Sequence, residues 1–368
     1  MTVAAAPAAD PALQALVDRV RAARADKTTL DIRGGNTKAF YGEVQQGEPL
    51  DLRPLAGISS YEPTELVVTV RAGTPLAELE AALAERGQCL PFEPPRFAAG
   101  GTVGGMVAAG LAGPARPAVG SVRDHLLGAT LLNGRAEVLS FGGQVMKNVA
   151  GYDVSRLLAG SMGYLGVVCE VSLKVMPLPT ASATLCFELD EATALARLNA
   201  WGGQPLPVNA SAWRQGMLVL RLAGAGAAVR SAAAAMGGEP VDAARAAAFW
   251  DGLRDQGDEF FAAARQAVQG GATLWRLSLP QTAPVLALPG DHLVEWGGAL
   301  RWVASDADSR TLRDAAARLG GHATAFAGAK PGGAFAALSA PLLRIHRALK
   351  AAFDPDAVFN PGRLVGPR

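Results

Sequence analysis

The sequence predicts an α+β protein, in which a glycine-rich unit is followed by a second layer of strands and helices. Glycine-rich loops recur between short strand patterns over residues 100–177. Pro177 and Pro179 end that stretch, and longer strands and helices alternate after Ala181. The 368 residues are enough for two domains of the usual size, roughly 100–200 residues each.

The first elements are a tail and a helix. Residues 1–10 are rich in Ala and Pro and are predicted to form a flexible tail. Residues 11–25 predict a helix because Leu16, Val17 and Val20 share one face.

A short strand over residues 30–33 leads into an Arg-Gly-Gly-Asn-Thr turn at residues 33–37. Backbone N–H groups in such a turn can bind a diphosphate, and the Arg33 guanidinium can neutralise it. A simple turn with an exposed arginine is the alternative, and this stretch taken alone favours that alternative.

The clearest early strand covers residues 66–70, Leu-Val-Val-Thr-Val, which are rich in β-branched side chains. A helix is predicted directly after it. Thr74 is a suitable N-cap, Pro75 suits the first helical position, and Gly87 suits the end of the helix.

Three further glycine-rich loops lie at residues 100–105, 120–124 and 160–166. Glycine lets the main chain approach a ligand closely, so the set indicates a flat or phosphorylated ligand, near which Arg123 adds a positive charge. Any one loop taken alone is better explained as an ordinary turn. The pattern Gly-x-Gly-x-x-Gly is absent, which disfavours a Rossmann site.

Between these loops, residues 126–132 and 137–141 are predicted to pair as a hairpin around Asn133-Gly134. Residues 167–175 alternate apolar and polar side chains and predict a half-buried strand.

After residue 180 the periodicity predicts strands over residues 183–189, 217–222, 272–279 and 300–304, and helices over residues 191–200, 225–236, 307–319 and 341–353. All six tryptophans lie in this half of the chain, and we expect them to pack in the core rather than to form a substrate cage.

The composition excludes several functions. A net charge of +1 gives no electrostatic basis for binding nucleic acid or an anionic membrane. The three cysteines include no Cys-x-x-Cys pair, which argues against a disulfide framework, a zinc site or an iron–sulfur cluster held by this chain alone. No transmembrane segment and no signal peptide are visible, so a cytoplasmic location is expected.

The ordered motifs resemble the FAD-binding domain of the vanillyl-alcohol oxidase family, also called the para-cresol methylhydroxylase type. The matching motifs are Ile-Arg-Gly-Gly-Asn-Thr at 32–37, Glu-Pro-Thr-Glu at 62–65, Gly-Thr at 73–74, Gly-Thr-Val-Gly-Gly at 101–105, Gly-Ser-Val-Arg-Asp at 120–124, Gly-Ser-Met-Gly-Tyr-Leu-Gly at 160–166, Phe-Asp-Pro at 353–355 and Phe-Asn-Pro-Gly-Arg at 359–363.

This resemblance implies a two-part FAD-binding domain over residues 11–179 and a smaller α+β cap domain over residues 180–335. Residues 336–368 would return to the FAD-binding domain. FAD would lie extended between the two parts of its domain.

The resemblance also implies a set of cofactor-binding residues. Residues 33–37, with Arg123 and Asp124, would contact the diphosphate. Residues 102–105 would lie along the ribityl chain and the flavin ring, and Arg363 would lie near the flavin edge. The backbone of residues 166–168 would approach the adenine or the flavin. The full set is Arg33, Gly34, Gly35, Asn36, Thr37, Thr102, Val103, Gly104, Gly105, Ser121, Arg123, Asp124, Gly166, Val167, Val168 and Arg363.

Within the family, the chain most resembles the smaller FAD-binding subunits of glycolate oxidase complexes. The points of likeness are Lys-Asn-Val-Ala-Gly-Tyr-Asp at residues 147–153, the short second half and the Asn-Pro-Gly-Arg ending. The resemblance implies electron transfer, or support of the catalytic subunit, in oxidation of glycolate to glyoxylate. It implies a larger FAD-containing catalytic subunit and an iron–sulfur subunit as partners, which could hold the chain at the inner membrane.

The chain departs from the family pattern at two places, and each departure leads to an expectation about its cofactors. Members with covalent flavin commonly have a histidine where this chain has Asn36-Thr37, so non-covalent FAD is expected. The larger hydroxyacid-oxidising relatives carry a histidine-rich metal motif, whereas the four histidines here are isolated in sequence. No metal site is therefore expected, which argues against independent oxidation of a hydroxyacid.

The catalytic residues are left unassigned. Oxidation of a hydroxyacid needs a cation for the carboxylate and a base for the hydroxyl proton. Arg301, Tyr152, His292 and Arg363 have suitable side chains, but no pattern brings them together.

Two other functions remain open: a self-sufficient FAD-dependent 2-hydroxyacid dehydrogenase, and a non-enzymatic structural subunit that has lost its flavin. A hydrolase nucleophile at Ser161 is disfavoured, because Ala159 stands where Gly-x-Ser-x-Gly requires glycine.

Overall fold

The computed structural model describes residues 10–143 and 152–365. Residues 1–9 of the predicted tail and residues 147–151 of the Lys-Asn-Val-Ala-Gly-Tyr-Asp motif lie outside the described residues. Within the two described ranges, no helix is both long enough and apolar enough to cross a bilayer.

The first half of the chain contains short strands and short helices. The strands are β1 (Leu30–Arg33), β2 (Glu48–Asp51), β3 (Ile58–Glu62), β4 (Val67–Arg71), β5 (Gln88–Cys89), β6 (Leu126–Leu132), β7 (Val138–Gly142), β8 (Val167–Lys174) and β9 (Met176–Pro177). The helices are α1 (Pro11–Asp26), α2 (Leu76–Ala84), α3 (Val103–Ala109), α4 (Arg116–Val119), α5 (Val122–His125) and α6 (Val154–Leu158).

The second half has longer elements. Its strands are β10 (Ala181–Glu188), β11 (Val208–Arg214), β12 (Met217–Gly224), β13 (Glu239–Val241), β14 (Thr273–Ser278), β15 (His292–Glu295), β16 (Leu300–Ser305) and β17 (His322–Gly328). Its helices are α7 (Glu191–Gly202), α8 (Gly226–Met236), α9 (Ala243–Asp255), α10 (Glu259–Gln269), α11 (Ser309–Arg318) and α12 (Ala340–Phe353). The mixed composition confirms the predicted α+β class.

A five-stranded antiparallel sheet, in the order β3-β4-β8-β6-β7, is the centre of the first half. Its middle strand β8 contributes to two apolar clusters. Val167 and Cys169 pack with the buried face of α1, whereas Val171 and Leu173 pack with α2 and α3. The strand is buried along most of its length, so the predicted half-buried alternation is wrong at Ser172, which is buried although the pattern places it on the polar face.

The predicted hairpin between β6 and β7 forms, but its turn is not the two-residue Asn-Gly turn that the sequence predicts. The side chain of Asn133 accepts hydrogen bonds from the backbone N–H of Arg135 and Glu137, and Ala136 takes the positive φ of 61°. Gly134 is required for another reason. A Cβ at this position would lie 2.2 Å from Oδ1 of Asp354, in the C-terminal segment.

The helix predicted after β4 forms, but Thr74 is not its N-cap. Pro75 holds the N-cap position of α2, and the buried Thr74 hydroxyl instead contacts the backbone N–H of Gly57 at 2.9 Å. Thr74 therefore ties the turn before α2 to the loop that precedes β3.

An eight-stranded antiparallel sheet, in the order β13-β10-β12-β11-β15-β16-β14-β17, forms the second half. Helices α7 to α11 supply side chains to the apolar clusters beside this sheet. The first sheet ends at Lys174 and the second begins at Ala181. The division into domains at residue 179 stays a prediction.

The two sheets are joined by an apolar cluster and by specific polar contacts. Trp296 Nε1 of the second half donates to Gly113 O at 3.1 Å. Arg221 Nη2 on β12 lies 2.6 Å from Glu93 Oε1. Leu111 packs among side chains of the second half in the shared cluster. These contacts fix the second half against the loop that follows α3.

The C-terminal segment returns to the first half through a buried ion pair. Lys350 Nζ on α12 contacts Asp354 Oδ2 at 2.6 Å and also donates to Phe359 O and Tyr164 O. The carboxylate of Asp354 accepts from the backbone N–H of Val358 and Phe359. Because of these bonds, the chain after α12 is held beside β1.

We expect Asp354→Ala to destabilise the protein by about 3–5 kcal/mol, because it leaves the buried Lys350 ammonium without its carboxylate partner. Asp356→Ala is the matched control, since Asp356 pairs with Arg24 at the exposed surface. Urea unfolding of both variants measures the difference. Equal losses of unfolding free energy would contradict this assignment.

Candidate functional site

A cavity opens where the loop after β1, helix α3, the loop before β8 and the C-terminal turn meet. These four segments are far apart in sequence and adjacent in space. The cavity is lined by Ile32, Arg33, Gly34, Gly35, Asn36, Thr37, Lys38, Ala39, Tyr41, Gln45, Leu52, Thr102, Gly104, Gly105, Ala108, Ala109, Met162, Gly163, Gly166, Val168, Asn360 and Arg363.

Two glycine-rich loops touch through their main chains at this cavity. A Cβ on Gly35 would lie 1.6 Å from Gly100 O, and a Cβ on Gly34 would lie 2.1 Å from the Thr102 hydroxyl. Real Cβ atoms do not approach other atoms so closely. Glycine at these two positions is therefore a packing requirement of the Arg-Gly-Gly turn.

The second of these loops is fixed to the sheet by backbone hydrogen bonds. Val103 N donates to Thr74 O, and Gly104 N donates to Ala72 O at 2.8 Å. A Cβ on Gly104 would lie 2.7 Å from the Ala72 side chain. Thr102 is the N-cap of α3, because its hydroxyl accepts from Gly105 N at 3.2 Å. The cavity wall at residues 102–105 is thus rigidly placed.

Asn360 joins the remaining two segments of the wall. Its buried side chain accepts from Ile32 N at 2.8 Å and donates to Met162 O at 2.6 Å. Gly163 has a φ of 70°, and a Cβ there would lie 2.5 Å from Nδ2 of Asn360. One amide side chain therefore fixes the end of β1 against the loop before β8.

Arg33 and Arg363 are the arginines that line the cavity. Arg363 is buried and donates to the backbone carbonyl groups of Glu43, Lys38 and Ala39. Arg33 Nε contacts the buried carboxylate of Asp31 at 2.5 Å. Desolvation lowers the pKa of Arg363, and the negative charge of Asp31 partly opposes this shift. The guanidinium of Arg363 is held by carbonyl groups rather than by an ion pair.

Lys38 is an ammonium group with a perturbed pKa at the same wall. Burial lowers its pKa to about 8, against a smaller opposing effect of Asp255. Its ammonium lies 5.6 Å from the centre of the Phe97 ring. Burial also raises the pKa of Tyr41, with Arg276 opposing.

A second cavity, of about 360 Å³, lies at the C-terminal end of α3. Gly110 caps α3 and lines this cavity, whereas Ala109 lines the first one. The lining residues are Gly110, Arg116, Ser121, Arg123, Ala159, Arg276, Ser278, Leu279, Trp296, Ala299 and His322.

The structure brings most of the sequence-predicted residues to the first cavity and a smaller group to the second. Arg33, Gly34, Gly35, Asn36, Thr37, Thr102, Gly104, Gly105, Gly166, Val168 and Arg363 line the first cavity. Ser121 and Arg123 line the second cavity. The side chains of Val103 and Val167 are fully buried in the core, so only their backbone could face a ligand.

Asp124 has a local structural role. Its carboxylate accepts from the backbone N–H of Ser121 at 2.7 Å and from the Ser121 hydroxyl, which forms a capping box on α5. The backbone bond is the main cause of the lowered pKa of Asp124. A contact of Asp124 or Arg123 with a diphosphate stays a prediction.

The sequence interpretation missed several cavity residues. Asn360 stands in a motif that was singled out, yet only Arg363 was assigned a role there. Lys38 directly follows the predicted turn. Arg276, of the second cavity, is a charged residue in the middle of the apolar strand β14, which is itself a sequence signal.

The four residues with suitable catalytic side chains do not meet. Arg301 is fully buried beside Glu191 and donates to Gly298 O and Ala283 O. His292 contacts Glu191 Oε2 at 2.9 Å, which is the main cause of its raised pKa. Neither residue lines either cavity, and Tyr152 is almost fully exposed. Arg363 alone of the four lies at the first cavity.

The class of protein that this fold and cavity define is an FAD-binding protein. A family model described as "FAD binding domain" matches residues 12–142. That match covers the turn after β1, the loop at residues 100–105 and the hairpin of the first sheet.

A relative of known assignment is similar over nearly the whole chain. The chain is 49% identical over 351 residues to glycolate oxidase subunit GlcE of Escherichia coli (strain K12). The aligned region covers 95% of this chain and 97% of the relative. The chain therefore belongs to this family of glycolate oxidase subunits. It is an FAD-dependent oxidoreductase subunit, and FAD is its cofactor.

Other relatives match a smaller part. Glycolate oxidase subunit GlcD of Bacillus subtilis (strain 168) is 29% identical over 42% of this chain and 33% of the relative. D-2-hydroxyglutarate dehydrogenase of Xanthomonas citri pv. viticola is 32% identical over 46% of this chain and 36% of that enzyme. A solved structure of alkyldihydroxyacetonephosphate synthase shares the fold, with a TM-score of 0.63 at 14% identity over 95% of this chain and 76% of that one.

We expect Gly105→Ala to weaken FAD binding by about tenfold or more while the protein stays folded. Gly105 lines the first cavity, and the nearest atom to an added Cβ is the Thr102 hydroxyl at 3.3 Å. The methyl group would therefore occupy cavity space rather than clash with the core. In a helix interior, alanine is more favourable than glycine by roughly 0.5–1 kcal/mol.

Fluorescence titration of the apoprotein with FAD, together with thermal unfolding, measures both effects of Gly105→Ala. Gly202→Ala is the control, because an added Cβ there has no neighbour within 4 Å and Gly202 lines neither cavity. Unchanged FAD affinity in Gly105→Ala would show that the cofactor lies elsewhere.

We expect FAD affinity to fall as the pH rises above about 8, because Lys38 loses its proton there. The ammonium form binds an anionic cofactor better, so affinity is highest below this pKa and declines by at most about tenfold per pH unit above it. FAD titrations between about pH 7 and pH 9 measure the change. Lys38→Met should remove the pH dependence, and the exposed control Lys27→Met should keep it.

Proposed function

We propose that this chain is the FAD-binding subunit of a glycolate oxidase complex, which oxidises glycolate to glyoxylate. The observation that carries the proposal is the 49% identity to the Escherichia coli subunit over 95% of this chain. The cavity between the turn after β1 and helix α3 supports it, since its glycine-rich walls suit a flat, phosphorylated ligand.

The first cavity fits FAD in its chemistry. Gly34 and Gly35 leave backbone exposed at one wall, and Arg33, Lys38 and Arg363 supply positive charge for a diphosphate. Asn36 and Thr37 stand where family members with covalent flavin carry histidine, which supports non-covalent FAD. Bound FAD supplies the electron acceptor for oxidation of a hydroxyl carbon, and the protein supplies position and electrostatics.

The partners are a larger FAD-containing catalytic subunit and an iron–sulfur subunit, and the chain would act in electron transfer or in support of catalysis. The three cysteines of this chain are free and occur without a Cys-x-x-Cys pair, so an iron–sulfur cluster would have to come from another subunit. Free cysteines also suit a reducing cytoplasm. Partner subunits could hold the complex at the inner membrane.

A self-sufficient 2-hydroxyacid dehydrogenase is the second candidate. The second cavity favours it, because guanidinium groups beside the flavin cavity could bind a carboxylate in this chain itself. The third candidate function is that of a non-enzymatic structural subunit that has lost its flavin.

Co-expression with the two proposed partner subunits separates these candidates. We expect the co-purified assembly, but not the isolated chain, to sustain glycolate-dependent reduction of an electron acceptor. We also expect acid precipitation to release the flavin into the supernatant. Sustained turnover by the isolated chain would favour the dehydrogenase. Absence of flavin after incubation with excess FAD would favour the structural subunit.

A further inference from the structure

The second cavity is lined by three arginines. Arg116, Arg123 and Arg276 all line it, and within residues 10–143 and 152–365 none of the three forms an ion pair with Asp or Glu. Its volume of about 360 Å³ far exceeds the roughly 10–15 Å³ that one water needs. The cavity thus has both the charge and the room for a small anion.

Two of these guanidinium groups are positioned by one aromatic ring. Arg116 lies 4.5 Å and Arg276 lies 5.1 Å from the centre of the Trp296 ring. Trp296 is itself buried and held by its hydrogen bond to Gly113 O. Cations stacked on a fixed ring lose little freedom when they bind a ligand.

The nearby buried carboxyl group does not cancel the charge of Arg276. Burial raises the pKa of Glu295 to about 8, against a smaller effect of the hydrogen bond from Trp302, so this group is neutral at pH 7. Burial also lowers the pKa of Arg276 and of Arg116. An anion in the cavity would offset the cost of these two charges.

Hydroxyl-binding groups stand next to the guanidinium groups. Arg276 Nη1 donates to the Ser278 hydroxyl at 3.3 Å, and Ser278 pairs across the sheet with His322. Burial and the charge of Arg276 lower the pKa of His322, so its ring is neutral at pH 7 and can accept a hydrogen bond. A ligand whose carboxylate binds the arginines could therefore place a neighbouring hydroxyl group against Ser278 and His322.

We propose that the second cavity binds a small 2-hydroxycarboxylate, with Arg116 and Arg276 on its carboxylate and Ser278 and His322 on its hydroxyl group. This rests on the proposed function and deepens it, since it assigns substrate contact to this subunit. The cavity adjoins the proposed flavin cavity at α3, where Ala109 faces one and Gly110 the other. Arginine suits a planar carboxylate because its donors form a matching fork.

Calorimetric titration of the full-length, FAD-loaded chain with sodium glycolate tests the proposal. We expect Arg116→Met and Arg276→Met each to weaken glycolate binding by about tenfold or more. Arg197→Met is the matched control, because Arg197 is exposed on α7 and lines neither cavity. Sodium acetate, which lacks the hydroxyl group, should bind more weakly than glycolate, and so should inorganic phosphate.

Equal glycolate affinity in the wild type and in both arginine variants would overturn the proposal, and so would no binding to the wild type. Tighter binding of phosphate than of glycolate would overturn the carboxylate assignment. Arg116 is an exposed residue, so Arg116→Met tests binding even where Arg276→Met fails to fold. The flavin absorbance of each sample separates failure of the glycolate proposal from failure of the proposed function. If the proposed function is wrong, the wild type itself contains no FAD. Loss of FAD from Arg116→Met would assign the cavity to the cofactor instead.

Discussion

The close approach of two main chains, at residues 33–37 and 100–105, is the constraint on which the site depends. No side chain fits between Gly35 and Gly100 O, so the turn after β1 and the start of α3 behave as one wall. Helix α3 begins beside this contact, and at its other end Ala109 lines the first cavity and Gly110 lines the second. Any side chain at Gly35 would disturb the wall of the first cavity and, through α3, the second cavity with its arginines.

The sequence predicts the parts of the site that are local. The turn at residues 33–37 and the loop at residues 102–105 are recognisable because glycine is informative wherever a backbone must approach a ligand. Asn360 is not predictable in the same way, because its role arises from hydrogen bonds to Ile32 and Met162, which are distant in sequence. Arg116 and Arg276 meet only through Trp296, for which the sequence interpretation assigned core packing alone.

The fold shows the same division. Local signals predict the strand at β1, the hairpin of β6 and β7, and helix α12 nearly to the residue. Tertiary packing overrides them at Thr74, whose hydroxyl serves another loop, and at Gly134, where Asp354 leaves no room for a side chain. Strand β11 is not predicted from the sequence because Asn209, Ala210 and Ala212 are of residue types that are depleted in strands, although β11 lies in the middle of the eight-stranded sheet.

The first cavity uses residues from both extremes of the chain. Its wall begins at Ile32 and is completed by Asn360 and Arg363, and the buried Lys350–Asp354 pair directs that last segment into place. While Asn360 and Arg363 are still inside the ribosome, the wall of the first cavity is incomplete. The proposed cofactor cavity is therefore completed only after Asn360 and Arg363 have been synthesised, and a truncation that removes them would leave the strands of both sheets but not this wall.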